Sequence, residues 1–157
     1  MKFNIRRAII NDAQAISQLL AEGGKLHSRA LPTLLKPPET STTDKFVDGI
    51  LRDEKCHILV AEVNHRVVGY LHFNHREEKE HPVLVPRSYI SVSSLIVEEQ
   101  YRQQGIGKAF MQRVHGWAEE HNIDDIELQV YEFNTSAKGF YEKLGYQTIT
   151  RRMRRSN

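Results

Sequence analysis

Apolar and polar positions recur with two different periods along this chain, and the places where the period changes mark its elements. Phe3 and Ile5 alternate against polar neighbours, which predicts a first strand over Lys2 to Ala8. Asn11 followed by Gln14 has the spacing of a capping box. Ala13, Ile16, Leu19 and Leu20 then share one helical face, and Gly23-Gly24 predicts where that helix stops. His27 to Thr43 carries Pro32, Pro37 and Pro38 and reads as a long connection or broken helix. It either pins Leu31, Leu34 and Leu35 to the core as a surface loop or walls a substrate site. A second helix is expected from about Thr43 to Arg52, with Phe46, Val47, Ile50 and Leu51 facing inward.

From Cys56 to Val63 the chain reads as a strand, closed by Asn64-His65 as a tight hairpin turn. The return strand is Arg66 to Phe73, where Gly69 marks a bulge or a close backbone approach. Asn74 to Arg87 is charged, holds two prolines and reads as an exposed loop. Tyr89 to Val97 predicts another strand, and Ile106 to His121 a helix with Ile106, Phe110, Val114 and Trp117 on one stripe. Ile126 to Tyr131 is strand-like, and Asn134 to Leu144 predicts a short helix capped by Gly145. Tyr146 to Arg154 predicts a final strand. The hairpin at Asn64 is antiparallel, so the fold class is mixed α/β with a sheet that is not wholly parallel.

Composition narrows the function classes. The 157 residues fit a single domain over 1–157, and 39% hydrophobic with 27% charged residues describe an ordinary globular chain. A formal net charge of +2 gives no reason to expect nucleic acid as a partner. No apolar run approaches the ~20 residues of a membrane span and no signal-peptide core opens the chain, so the expectation is a cytoplasmic protein off the membrane. The one cysteine, Cys56, precludes an internal disulfide and reads as a structural thiol. The histidines lack any metal-ligand spacing, so no metal is expected.

The chemistry concentrates in Arg102-Gln103-Gln104-Gly105-Ile106-Gly107-Lys108, between a predicted strand and a predicted helix. Strand, glycine-bearing turn and helix together aim backbone N–H groups at an anion, and glycines admit a bulky phosphate. A P-loop needs glycine where Arg102 stands and Ser or Thr where Ala109 stands; the dinucleotide fingerprint needs glycine where Phe110 stands. Both fail. A plain strand–helix turn is the alternative. The remaining pattern, Arg-x-x-Gly-x-Gly, resembles the acetyl-CoA pyrophosphate loop of the GNAT superfamily of N-acetyltransferases. A second motif follows: Asn134, then Ala137, then Phe140-Tyr141, then Leu144-Gly145-Tyr146. It is similar to that superfamily's second acetyl-CoA motif and follows the first in the expected order.

This resemblance implies a single-domain GNAT fold. A mixed, mostly antiparallel sheet would be flanked by about four helices and splayed where acetyl-CoA, the acetyl-donor co-substrate, binds. It implies that main-chain groups of Leu95, Ile96 and Val97 hold the pantetheine arm. Amides of Arg102, Gln103, Gln104, Gly105, Ile106, Gly107 and Lys108 would hold the pyrophosphate. Asn134 would contact the cofactor, and Tyr141 would stand near the thioester as general acid. A phenol near ~10 can protonate a departing thiolate whose thiol titrates near ~8.5; a core tyrosine is the alternative. Carboxylates common in the family are replaced by Ser93-Ser94 on the fourth strand and by Gln129 before the second motif. Glu132 is then the candidate base, or simply a partner of the helix dipole. Glu62, His72 and a serine-bound water relay remain open. The expected activity is acetyl transfer to a primary amine by direct attack, a small-molecule acceptor being favoured over a protein N-terminus. The competing class is a non-catalytic acyl-CoA sensor or interaction module. Only twelve residues follow Gly145, so the last strand is single and long, or another chain, as in a homodimer, completes the edge. Arg151, Arg152, Arg154 and Arg155 read as charge protecting that edge.

Overall fold

The break in pattern at Asn64-His65 is a two-residue turn in which both residues are left-handed (φ 48° and 62°), the geometry that matches the twist of two antiparallel strands. It joins β2 (Cys56–Val63) to β3 (Arg66–Glu78). The computed structural model describes residues 2–155. Around this hairpin stand β1 (Asn4–Arg7), α1 (Ala13–Ala30), α2 (Thr40–Arg52), β4 (Arg87–Val97), α3 (Ile106–Glu120), β5 (Asp125–Leu128) and α4 (Thr135–Lys143). The five strands form one sheet in chain order, antiparallel except where β5 joins β4 in parallel.

Period-two alternation sends side chains to opposite faces, and each face has its own core. Ile58, Val60 and Tyr70 meet Ile16 and Leu19 of α1 and Val47 and Ile50 of α2. On the other face Ala61, Val63, Leu71, Phe73, Ile90 and Val92 meet Ile106, Phe110, Met111, Val114 and Ala118 of α3. The sheet is therefore a middle layer. Trp117 ends the α3 stripe in an aromatic cluster, with ring centroids 4.8 Å from His57, 5.5 Å from Phe73 and 3.7 Å from His121.

Several boundaries differ from expectation. Helix α1 runs through Gly23-Gly24, because those residues serve close packing: a Cβ would lie 2.6 Å from Ile96 Cδ1 at Gly23 and 2.9 Å from Pro38 Cγ at Gly24. Helix α2 begins at Thr40, and Phe46 points outward, 49% exposed, leaving Val47 and Ile50 to face the core. Asn74 to Glu78 extend β3 and pair with β4 from Arg87, so only 79–86 form the expected loop. Gly69 does sit at a bulge: Ala61 opposes Gly69 and Glu62 opposes Val67, leaving Val68 extra. Its missing Cβ would lie 3.0 Å from the Ile96 carbonyl oxygen. Among the described residues the predicted final strand is absent: Tyr146 to Arg155 make no ladder.

Arg6 fastens β1 to the chain entering α1. It donates from Nη1 and Nη2 to Asp12 at 2.7 and 2.9 Å and from Nε to Glu62 at 3.0 Å. The Ile9 amide donates to Asp12 at 2.8 Å. Burial works to raise the Asp12 carboxyl, but Arg6 and the Ile9 amide outweigh it and hold it below its ordinary value. A depressed acid stabilises the fold above its unfolded value, near ~3.9, and that contribution disappears as pH falls through the folded value. Asp12→Asn is expected to cost about 1.5–3 kcal/mol at pH 7. Thermal unfolding at a series of pH values should show the gap from wild type closing below pH ~4.

Candidate active site

The sheet opens at one point on β4. Parallel pairing with β5 covers only Tyr89 to Val92 against Asp125 to Leu128. At the next residue β4 carries a bulge: Phe73 opposes Val92 and His72 opposes Ser94, so Ser93 is extra. A bulge sharpens twist and re-aims the strand, and here it coincides with the parting of β4 and β5. Beyond it the backbone of Ser93 to Val97 has β3 on one side and, among the described residues, no strand on the other. Buried Asn74 donates from Nδ2 to Ser93 Oγ at 3.4 Å and lies 3.2 Å from Nε2 of buried His72. Burial lowers His72, whose ring is therefore neutral near pH 7.

The glycine turn lies at the end of this opened strand. Arg102 Nε donates to the Val97 carbonyl at 2.9 Å and ties the turn to β4. Gln103 and Gly105 are left-handed (φ 59° and 90°), and Arg102 to Gly105 are exposed. Helix α3 starts at Ile106, and Ala109 N–H bonds the Gly105 carbonyl at 2.9 Å. The amides of Ile106, Gly107 and Lys108 thus occupy the first turn, where no intrahelical acceptor is available. Gly107 is where β4, α3 and α4 meet: a Cβ there would lie 3.3 Å from Phe140 Cζ and 3.9 Å from Leu95 Cδ2. The turn can receive an anion, and Phe140 of α4 packs against it at Gly107.

On α4, Asn134 caps the helix, its Oδ1 accepting from Ala137 N–H at 3.1 Å. Tyr141 is half-buried, its ring 4.9 Å from Phe140 and 5.7 Å from Tyr146. Desolvation pushes its phenol up to about 12, which keeps it protonated and able to donate. Glu132 stands at the surface, its side chain 70% exposed, accepting from Lys138 Nζ at 2.7 Å; that bond holds the carboxyl below its ordinary value. Glu62 is engaged by Arg6. Cys56 is half-buried, its thiol raised by burial and by Asp53, to which it donates at 3.6 Å. Among the described residues no group of three or more His, Cys, Asp or Glu could hold a metal ion, and no helix is long and apolar enough to cross a membrane.

Two residues bordering the opening had no role of their own in the sequence, although one opens the stretch read there as a surface loop or a substrate wall. Gly23 packs on Ile96, and one helical turn later His27 sets its ring 5.4 Å from Tyr131 and 5.5 Å from Phe133, in the segment that follows β5. Helix α1 therefore reaches from Ile96 of β4, through Gly23, to the segment after β5, through His27. His27 Nδ1 lies 2.7 Å from the Gly23 carbonyl oxygen. A carbonyl only accepts, so Nδ1 carries the proton and Nε2 of the neutral ring keeps its lone pair. The other is Tyr70, fully buried on the α1 face of β3, and among the described residues its hydroxyl has no partner in hydrogen-bond geometry. Burial pushes it up to about 12; Ser94 approaches and eases this without completing a hydrogen bond.

The family model described as "Acetyltransferase (GNAT) family" matches residues 24–146, which include the opened strand, the glycine turn and α4. The chain belongs to this acetyltransferase family. An N-alpha-acetyltransferase of Sulfurisphaera tokodaii is 34% identical over 153 residues, covering 94% of this chain and 82% of the relative. A tetramutant of the BH1408 protein from Bacillus halodurans superposes with a TM-score of 0.90 at 26% identity, covering 98% of this chain and 99% of that one. An aminoglycoside N-acetyltransferase, AAC(6')-Iy, solved in complex with CoA, has a TM-score of 0.74 at 14% identity over 99% of this chain and 95% of its own. The mixed sheet with four helices is thus the GNAT fold, and N-acetyltransferase is the activity class of the family and of the Sulfurisphaera tokodaii relative.

An unpartnered buried hydroxyl costs about 1–3 kcal/mol. Tyr70→Phe is accordingly expected to leave the acetyltransferase as stable as wild type or more so in chemical denaturation, whereas a clear loss of stability would reveal a bonded hydroxyl.

Proposed function

We propose that this protein transfers the acetyl group of acetyl-CoA to a primary amine by direct attack. The observation carrying this reading is the parting of β4 and β5 at Ser93, directly ahead of the glycine turn. The main-chain edge of Leu95, Ile96 and Val97 that faces away from β3 suits the amide-rich pantetheine arm, the Val97 carbonyl on it being shared with Arg102 Nε. The turn from Arg102 through Gln103, Gln104, Gly105, Ile106 and Gly107 to Lys108 suits the pyrophosphate. Asn134 serves this arrangement by starting α4 in place, since its carbonyl oxygen is engaged in the cap. Tyr141 is the general acid for the departing thiolate. Cys56, with a raised pKa, is a poor nucleophile, which supports direct attack over an acyl-enzyme.

The base role moves in this reading from Glu132 to His27. A surface carboxylate ion-paired to lysine is a weak proton acceptor, whereas His27 offers Nε2 beside the opening. An imidazole base fits some amines better than others. A lysine-like amine near ~10.4 must give up its proton at a cost of about 4.6 kcal/mol at pH 7, a peptide α-amine near ~8 at about 1.4 kcal/mol. This, with the N-alpha-acetyltransferase relative, supports a peptide N-terminus as acceptor. Gln129 in place of a carboxylate supports the small-molecule amine expected from the sequence.

The first test is thermal unfolding with acetyl-CoA, with NAD as control. At ~100 times the dissociation constant binding adds ~2.7 kcal/mol, an upward shift of roughly 5–10 °C. No shift removes the cofactor site from this reading, and a shift without thiol release on any amine favours the non-catalytic sensor. Where acetylation of a peptide α-amine is observed, Tyr141→Phe should lower kcat ~10²–10⁴-fold with acetyl-CoA binding retained. His27→Gln should lower kcat/KM ~10²-fold or more while leaving acetyl-CoA binding intact. An unchanged kcat/KM would return the base role to another group.

A further inference from the structure

Where the last residue of β1 meets β2, the flank of α3 leaves an open groove of about 470 Å³. Small-molecule sites span ~300–1,000 Å³. The wall of the groove is a run of rings. His57 stacks on Phe73 with centroids 4.9 Å apart, and Trp117 lies 4.8 Å from the first and 5.5 Å from the second. Leu59 continues this apolar wall toward β1. Arg7, directly across from Leu59 in the ladder, forms one bank, and Arg113, one helical turn before Trp117, forms the other. The groove lies at the far end of α3 from the glycine turn and shares no side chain with that turn, the opened strand or α4.

Helix α3 gives up stability to keep this groove wide. Gly116 lines it between Gln112 and Glu120, one turn from each. A glycine inside a helix costs about 1 kcal/mol relative to alanine. Gly116 has no positive φ, and a Cβ built on it meets nothing within 4 Å, so neither a turn nor a close neighbour calls for it. What the missing side chain leaves is space beside the rings. Charge gives that space a preference. Among the described residues the ion-paired arginines are Arg6, Arg66 and Arg87, which leaves Arg7 and Arg113 uncommitted. Burial, and then the charge of Arg7, hold the His57 ring below its ordinary value, so Arg7 acts across the groove rather than away from it. Glu120 is the one carboxylate among the lining residues, and the two guanidiniums outweigh it.

We propose that this groove binds a small aromatic carboxylate, its ring laid along His57, Phe73 and Trp117 over Gly116 and its carboxylate held between Arg7 and Arg113. Such a wall offers stacked and edge contacts to a planar ring. A guanidinium holds a carboxylate through two parallel N–H donors. Glu120, on the stripe beyond Gly116, disfavours a second anionic group on the ligand. Nothing in this site depends on the identity of the acetyl acceptor.

The test is isothermal titration calorimetry of the full chain with 2-naphthoate, with and without acetyl-CoA. One saturable site per chain is expected, with a dissociation constant below ~1 mM and the same value in both arms. 2-Naphthamide, of the same shape without the charge, should bind at least ~10-fold more weakly. Arg7→Gln and Arg113→Gln should each weaken 2-naphthoate by a similar factor, because each removes a charge-assisted hydrogen bond. Gly116→Leu should abolish binding while unfolding at a temperature no lower than wild type, since its Cβ enters open space and a helix-favouring residue replaces glycine. Absence of saturable binding, equal binding of the amide, or full binding by Gly116→Leu overturns the proposal. So does displacement of 2-naphthoate by acetyl-CoA, which would put the carboxylate in the cleft.

Discussion

One extra residue in one strand governs the architecture of the cleft. Parallel strands held in register by a continuous ladder leave no room for a ligand between them, and β4 and β5 are in register only as far as Val92. Ser93 then enters β4 without a partner on β3, the strand turns, and its next residues present their backbone to an open gap. The bulge is held from beneath by Asn74 and His72, two buried polar residues facing α1. An apolar residue in place of Asn74 would free the Ser93 hydroxyl and leave His72 Nε2 without this partner. The cleft is therefore a property of the sheet, not of a loop.

The close approaches around this gap follow from it. With the strand turned, α1 and α4 reach it from opposite faces, and at each contact a glycine stands where a side chain would obstruct. Gly23 admits Ile96 under α1, Gly69 admits the Ile96 carbonyl, and Gly107 admits Phe140 of α4. The glycines that read as punctuation in the sequence are thus of two kinds. Gly105 and Gly145 have the left-handed φ that turns and caps demand, whereas Gly23 and Gly24 lie inside a helix and accept its propensity cost of about 1 kcal/mol each for proximity.

That distinction explains what sequence reasoning recovers here. The hairpin at Asn64, the stripe on α3 and the cap at Gly145 are local, set by residues within a few positions, and they stand where periodicity and turn chemistry place them. The end of α1, the outward face of Phe46 and the length of β3 depend on what lies across the fold. A charged stretch such as Arg76-Glu77-Glu78 reads as loop until Arg87 arrives to pair with Glu78 at 3.0 Å. The same divide runs through the site. Glycine turn and α4 motif are contiguous words, so they are readable, while His27 becomes a candidate only when Tyr131 and Phe133, a hundred residues away, come within ring-contact distance. Bulges such as Ser93 carry no composition of their own and are invisible without the partner strand.

The aromatic cluster at the far end of α3 has a practical consequence for optical spectroscopy. Trp117 is the chain's sole indole, and it lies eleven residues from the glycine turn, about 16 Å along the helix axis. Its ring is stacked at 3.7 Å on His121, with His57 on its other flank. Intrinsic fluorescence will therefore follow the docking of α3 on the sheet, and a flat emission trace on adding a nucleotide carries no information about the cleft.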